Sequence, residues 1–161
     1  EALCFAMGSR LSLTSSQMES LSSLALLHDI GKTKIDVNII DKPTVLSDDE
    51  WEIMRKHPRY GYDIAVQYPE LSTVAYLILT HHERYDGKGY PLNLKGDNIP
   101  IESRILSIVD AFDAMTHDRP YHKAISIEEA LTEISNHAGT QFDPILAKIF
   151  TELPLSLLKN I

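Results

Sequence analysis

Apolar residues recur along most of this chain at intervals of three and four, the spacing that lines up one face of an α-helix. In "MESLSSLALLHDIG" the stripe is Met18, Leu21, Leu24 and Leu27, and Gly31 is expected to end the helix. "SDDEWEIMRKH" opens on Ser47 and Glu50 at capping-box spacing. "HPRYGYDIAVQY" reads as a short helix with Pro58 in its first turn. "LSTVAYLILTHH" is apolar enough for a buried strand, but its length and its helical neighbours favour a helix. "IESRILSIVDAFDAMT" reads as a strongly apolar helix, Ser126 and Glu129 form another capping box, and Asp143–Pro144 open a further short helix. Between 83 and 100 the period stops, in a stretch that holds Gly87, Gly89, Gly96, Pro91 and Pro100. Irregular stretches of that length inside compact domains are usually functional or disordered. The pattern predicts one all-α domain over 1–161, with roughly six to eight helices.

Composition narrows the setting. The chain has 161 residues, 43% hydrophobic and 24% charged, which suits one soluble domain with a real core. Its single cysteine, Cys4, excludes an internal disulfide and points to a reducing, cytoplasmic setting. No apolar run approaches the roughly 20 residues needed to cross a bilayer, and no secretory signal is visible. Because the chain starts on Glu1, it reads as a piece of a longer protein, with an upstream regulatory domain expected. The net charge of −8 argues against a nucleic-acid polymer as partner. A small anionic ligand is compatible if metal ions or a few basic residues make a local positive patch.

Chemistry concentrates in a few places. His28 and Asp29 follow an apolar stretch at a helix end; a lone histidine there is more often structural than functional. As an adjacent pair in a helix their side chains diverge by about 100°, so each can face a different metal ion, or Asp29 can bridge two. Lys32, one turn on, can pair with Asp29 or meet an anion. His57 alone reads as a helix-terminus histidine, and His81–His82 alone as a surface pair or two imidazoles of one cluster. Asp110 sits among Ile108, Val109, Ala111 and Phe112, where a buried carboxylate needs a cation or good donors. Asp113 shares its face, and the sequence leaves open which of the two orients a neighbour and which binds metal. Four histidines and two aspartates are too many for one tetrahedral site and enough for two metals sharing a bridge. Imidazole and carboxylate without thiolate suit iron, manganese or zinc.

Those residues in that order resemble the HD-GYP family of metal-dependent phosphohydrolases. The resemblance runs from about Leu24 to Phe150 and rests on "HDIGK", "KP" at 42, "HP" at 57, "HHERYDGKGYP" at 81 to 91, "VDAFDAMTHDRPY" and "GTQFDP". It implies an HD-domain helical bundle with a glycine-rich GYP loop, and hydrolysis of cyclic di-GMP to pGpG or onward to GMP. It also implies two or three divalent metals, iron or manganese ahead of zinc, held by His28, Asp29, His57, His81, His82 and Asp110. Asp29 and Lys32 would serve catalysis, Lys32 also touching the scissile phosphate. Asp86, Gly87, Gly89 and Tyr90 would shape the substrate side, with Tyr90 near a guanine or phosphate, and Arg119 would grip the uncut phosphate. His122 stands where many members carry a basic residue, so that role falls to Lys123. A further histidine that members carry upstream would align before Glu1, so the first helix is expected to be truncated. The resemblance also suggests GGDEF-type cyclase domains as partners. A homodimer through exposed helices near the termini is a separate expectation. Two other readings are a sensor module that binds the dinucleotide without turnover and a phosphohydrolase acting on mononucleotides, against which the GYP loop argues.

Overall fold

The computed structural model describes residues 1–118 and 123–159. Among these the chain is helical with no strand, apart from an isolated bridge between Ala138 and Phe142. The helices are α1 (Ala2–Arg10), α2 (Ser15–Leu27), α3 (Val37–Ile40), α4 (Asp48–Met54) and α5 (His57–Ala65). They continue as α6 (Ser72–Thr80), α7 (Ile101–Thr116), α8 (Ile127–Asn136), α9 (Pro144–Thr151) and α10 (Leu155–Leu158). Eight of them run to seven residues or more; α3 and α10 are single turns that the periodicity does not announce.

Local chemistry sets the starts. The expected capping boxes form at Ser47–Glu50 and Ser126–Glu129, and Asp143 accepts from the amides of Ile145 and Leu146. Thr14–Gln17 makes one more box, at a spacing that is equally readable in the sequence. Each such cap contributes about 1 kcal/mol by satisfying amides the helix leaves unpaired.

Helix α7 is the axis of the bundle. It packs against α1, α2, α6, α8 and α9, and buries Ile105, Leu106, Ile108, Val109 and Phe112. Phe112 meets Phe150 of α9 edge-on at 5.2 Å, both fully buried. At the end of α6 the hydroxyls of Thr80 and Ser103 meet at 2.9 Å inside the core, which ties that helix end to α7 just before His81.

Gly31 does not end α2, which stops at Leu27; it lies in a 3₁₀ turn over Ile30–Lys34. Its function is close approach. A Cβ there would lie 1.9 Å from the carbonyl oxygen of His57 and 2.5 Å from the amide of Gly61. The missing side chain lets the turn after His28–Asp29 lie directly on α5. Gly31→Ala should therefore cost at least about 2 kcal/mol by overpacking. For a chain of this size that lowers Tm by about 4–8 °C in a thermal melt, and an unchanged Tm would show the contact to be slack.

Candidate metal centre

Three helix ends and the middle of a fourth helix deliver the histidines and carboxylates to one place. His28 caps the C-terminus of α2, His57 is the first residue of α5, and His81 and His82 follow α6. Asp110 projects from the middle of α7. The ring nitrogens of His57, His81 and His82 include one atom each within 4.8 Å of the others. Nε2 of His57 lies 3.3 Å from Nε2 of His81 and 3.2 Å from Nε2 of His82. Asp29 Oδ1 faces His57 Nε2 at 3.4 Å, while Oδ2 faces His28 Nε2 at 3.5 Å. Asp110 Oδ1 is 4.0 Å from the same His28 nitrogen.

The tautomers follow from the backbone. His28, His57 and His81 each point Nδ1 at the carbonyl three residues earlier, on Ala25, Met54 and Ile78, at 3.1, 2.8 and 2.6 Å. A carbonyl only accepts, so Nδ1 carries the proton and Nε2 presents a lone pair. His57 and His81 therefore aim lone pairs at each other across 3.3 Å, which is repulsive without a cation or a proton between them. Ligands sit about 2.0–2.2 Å from a transition-metal ion, which leaves two donors on one ion about 3–4 Å apart. The donor set, its spacing and its tautomers fit metal.

The protonation states agree. Burial lowers the pKa of His57, and lowers that of His81 well below the usual imidazole value, with the neighbouring His82 adding to the effect. Burial and His57 push His82 down to about 3. Burial alone would raise Asp29, but the hydrogen bond and charge of Lys32, with His28 and His57, carry it below the usual carboxylate value. Lys32 Nζ donates to Asp29 Oδ2 at 2.7 Å. Neutral imidazoles and an ionised carboxylate are the ligand forms.

Asp110 is less buried than its apolar sequence neighbours imply: its side chain is 35% exposed. It faces cavities rather than core. One, of about 480 Å³, is lined by Asp29, Lys32, His57, His82, Tyr90 and Asp110, with an apolar wall. Another, of about 410 Å³, shares His82 and Asp110 and continues past Arg84, Glu133, His137 and Gln141. Asp113 is half exposed, with His117 Nδ1 at 3.3 Å.

The loop after His82 is built by a residue that sequence reasoning passed over. Glu83 is 3% exposed and accepts from the amides of Leu92 at 2.6 Å and Leu94 at 3.0 Å. An unpaired run of loop amides next to a carboxylate was the available signal. Of the glycines in the GYP motif, Gly87 takes a positive φ of 81°, while Gly89 is needed for room: a Cβ there would lie 2.3 Å from the amide of Arg84. Asp86 forks with Arg84 at 2.9 and 3.2 Å and accepts from the Lys88 amide. Tyr90 reaches the cavity wall and stacks on His82, centroids 5.0 Å apart at 30°. Lys123 is exposed and lines neither cavity. Arg119 and His122 lie outside the described residues.

Fold and site together define a helical domain built around a cluster of histidines and carboxylates at a spacing that could hold a metal ion. A family model described as HD domain matches residues 1–146. The chain belongs to the HD-domain family, in the HD-GYP branch that its loop marks. Over 137 residues it is 39% identical to a cyclic di-GMP phosphodiesterase response regulator of Xanthomonas campestris pv. campestris, covering 84% of this chain and 36% of that protein. Over 131 residues it is 43% identical to a cyclic di-GMP phosphodiesterase of Thermotoga maritima, covering 80% and 36%. A solved cyclic GMP-AMP specific phosphodiesterase of Vibrio cholerae shares the fold, with a TM-score of 0.70 at 24% identity over 99% of this chain and 42% of that one. The chain spans about a third of the length of the curated relatives it matches. Among the described residues no helix is long and apolar enough to cross a membrane.

The depressed histidines set a pH dependence. In the unfolded chain they take protons near pH 6.5, while in the folded metal-free domain His82 resists down to about 3. Stability is thus full above about pH 6.5 and is lost as pH falls through the window below it, by roughly 1.4 kcal/mol per pH unit from His82, with His57 and His81 acting in the same direction. Melts in chelator should show Tm falling from pH 7.5 to 5; a flat profile would mean the imidazoles are not buried neutral.

Proposed function

We propose that this domain is a metal-dependent phosphodiesterase that opens cyclic di-GMP to linear pGpG. The observation that carries this reading is the seating of the GYP tyrosine on the metal cluster, with Tyr90 stacked on His82 above a cavity that also holds Asp29, Lys32 and Asp110. Ions held by His28, Asp29, His57, His81, His82 and Asp110 would supply Lewis acidity and a water of lowered pKa. The donor set favours iron or manganese, then zinc. Asp29, whose two oxygens face different histidines, would be among the residues that hold the ions.

The chain's own residues do the rest. Lys32 places an ammonium in the cavity wall, fixed by Asp29, where it stabilises charge that develops on the phosphate. Tyr90, raised to about 12 by burial, keeps its proton and remains a hydroxyl donor at neutral pH. Asp86, Gly87 and Gly89 act on substrate indirectly, by fixing the loop that carries Tyr90. Two cavities that share His82 and Asp110 suit a ligand with two bases around one phosphodiester ring. The names of the relatives agree on the reaction class and differ in the dinucleotide.

The test is turnover. Loaded anaerobically with iron, or with manganese, the chain should convert cyclic di-GMP to pGpG; an intact substrate alongside hydrolysed mononucleotides would overturn the reading. Asp110→Ala should lose bound metal and reduce turnover by at least 10²-fold, whereas Asp113→Ala should retain the parent's metal content. Equal metal in the parent and the Asp110 variant would remove Asp110 from the ligand set.

A further inference from the structure

The 480 Å³ cavity is polar along its metal-facing floor and apolar along the rest. Its apolar wall includes Ile40, Val45, Leu46, Met54 and Trp51. Trp51, the chain's single tryptophan, is 47% exposed and takes no part in the core. Val45 is 78% exposed beside it in the same wall. Apolar side chains gathered at the mouth of a cavity, rather than scattered, mark a binding surface.

The platform under Trp51 is rigid. Ser47 and Glu50 close a capping box, and Glu50 Oε2 also accepts from Lys42 Nζ at 2.5 Å. That one carboxylate therefore ties the turn that carries Val45 and Leu46 to the first turn of α4. The amide of Trp51 donates to the Ser47 carbonyl at 2.9 Å, one turn above the box.

Tyr90 is the aromatic that the motif nominates for a base, but its ring already has two partners. It stacks on His82, and the guanidinium carbon of Arg55 lies 5.8 Å from its centroid. Trp51 has no such ring or cation contact among the described residues, and its indole is the larger face. A ligand that is anionic at the floor and flat and aromatic at the wall is a nucleotide.

We propose that Trp51 is the stacking platform for one purine base of the cyclic dinucleotide, and that it sets affinity rather than the rate of the cut. The inference rests on the phosphodiesterase reading and specifies where one base lies. Sequence-tolerant stacking of this kind serves guanine and adenine alike, so it binds the class without choosing within it.

Two readouts test it on the manganese-loaded chain. In steady state, Trp51→Ala should raise KM for cyclic di-GMP about tenfold with kcat within about twofold, and Trp51→Phe should recover most of the loss. In rapid mixing, the emission of the single tryptophan should be quenched on binding, ahead of hydrolysis. An unchanged KM and unquenched emission in a chain that still cuts cyclic di-GMP overturn the role of Trp51 and leave the phosphodiesterase reading standing. Saturable quenching without hydrolysis keeps the base platform and overturns the phosphodiesterase reading. A dimer that dissociates on Trp51→Ala at unchanged KM assigns the patch to a second copy of the chain, and overturns the proposal.

Discussion

Three imidazoles are held by the backbone just before them in the tautomer that prevents them from hydrogen-bonding to one another. Each Nδ1 donates to the carbonyl three residues back, so each Nε2 turns a bare lone pair inward. The arrangement is electrostatically incomplete as protein alone, and a cation would complete it. The rest of the fold serves to bring these helix ends together. Gly31 lets the His28–Asp29 turn lie on α5 and so against His57. The Thr80–Ser103 contact pins the end of α6 to α7, which sets His81 and His82 against Asp110. The stability of the bundle and the order of the site are therefore coupled: backbone contacts that hold helix ends together also hold the ligand atoms 3.2–4.0 Å apart.

Glu83 carries the same logic into the loop. A carboxylate placed directly after two metal-facing histidines looks like another ligand, yet its oxygens accept from the amides of Leu92 and Leu94. Burial raises its pKa, while those amides pull the other way by hydrogen-bonding its charged form. Its work is to close the loop on itself so that Tyr90 lands on His82. The Arg84–Asp86 fork, with Arg84 also reaching Gln141 at 3.2 Å, does the same from the other side. The irregular stretch is thus held by side chains where a helix would be held by its own backbone.

Legibility in the sequence divided along physical lines. Whatever depends on neighbours within one or two turns could be read: the limits of α7, the capping boxes at Ser47 and Ser126, and the N-cap at Asp143. The Thr14 box was equally local and went unread. Whatever depends on distant partners could not. Gly31 looked like a helix stop because its real constraint, the carbonyl of His57, lies 26 positions away. Asp110 looked buried because its sequence neighbours are, but a helix turns each residue by about 100° and points this one at a cavity. Motif resemblance assembled the histidines and aspartates into one set, because a motif stores long-range contacts that periodicity cannot express. It said less about side chains to which it gives no role, which is why Glu83, inside the motif, and Trp51, outside it, emerged only from geometry.

An anionic substrate on a chain of net charge −8 is a smaller conflict than it looks. Charges on the far surface are screened over about 8–10 Å at ordinary ionic strength, so the cavity feels mainly the groups that line it. There Asp29 is already paired with Lys32, and Asp29 and Asp110 face imidazole nitrogens at metal-ligand spacing. Cations held there would neutralise those carboxylates, and Lys32 would be left to set the sign of the floor. The surrounding acidity would then act as a filter. It would disfavour long polyanions, which must lie across the outer surface, and spare a compact one that fits within the cavity. The apolar wall, indifferent to charge, would supply affinity that a screened and partly neutralised floor could not supply alone.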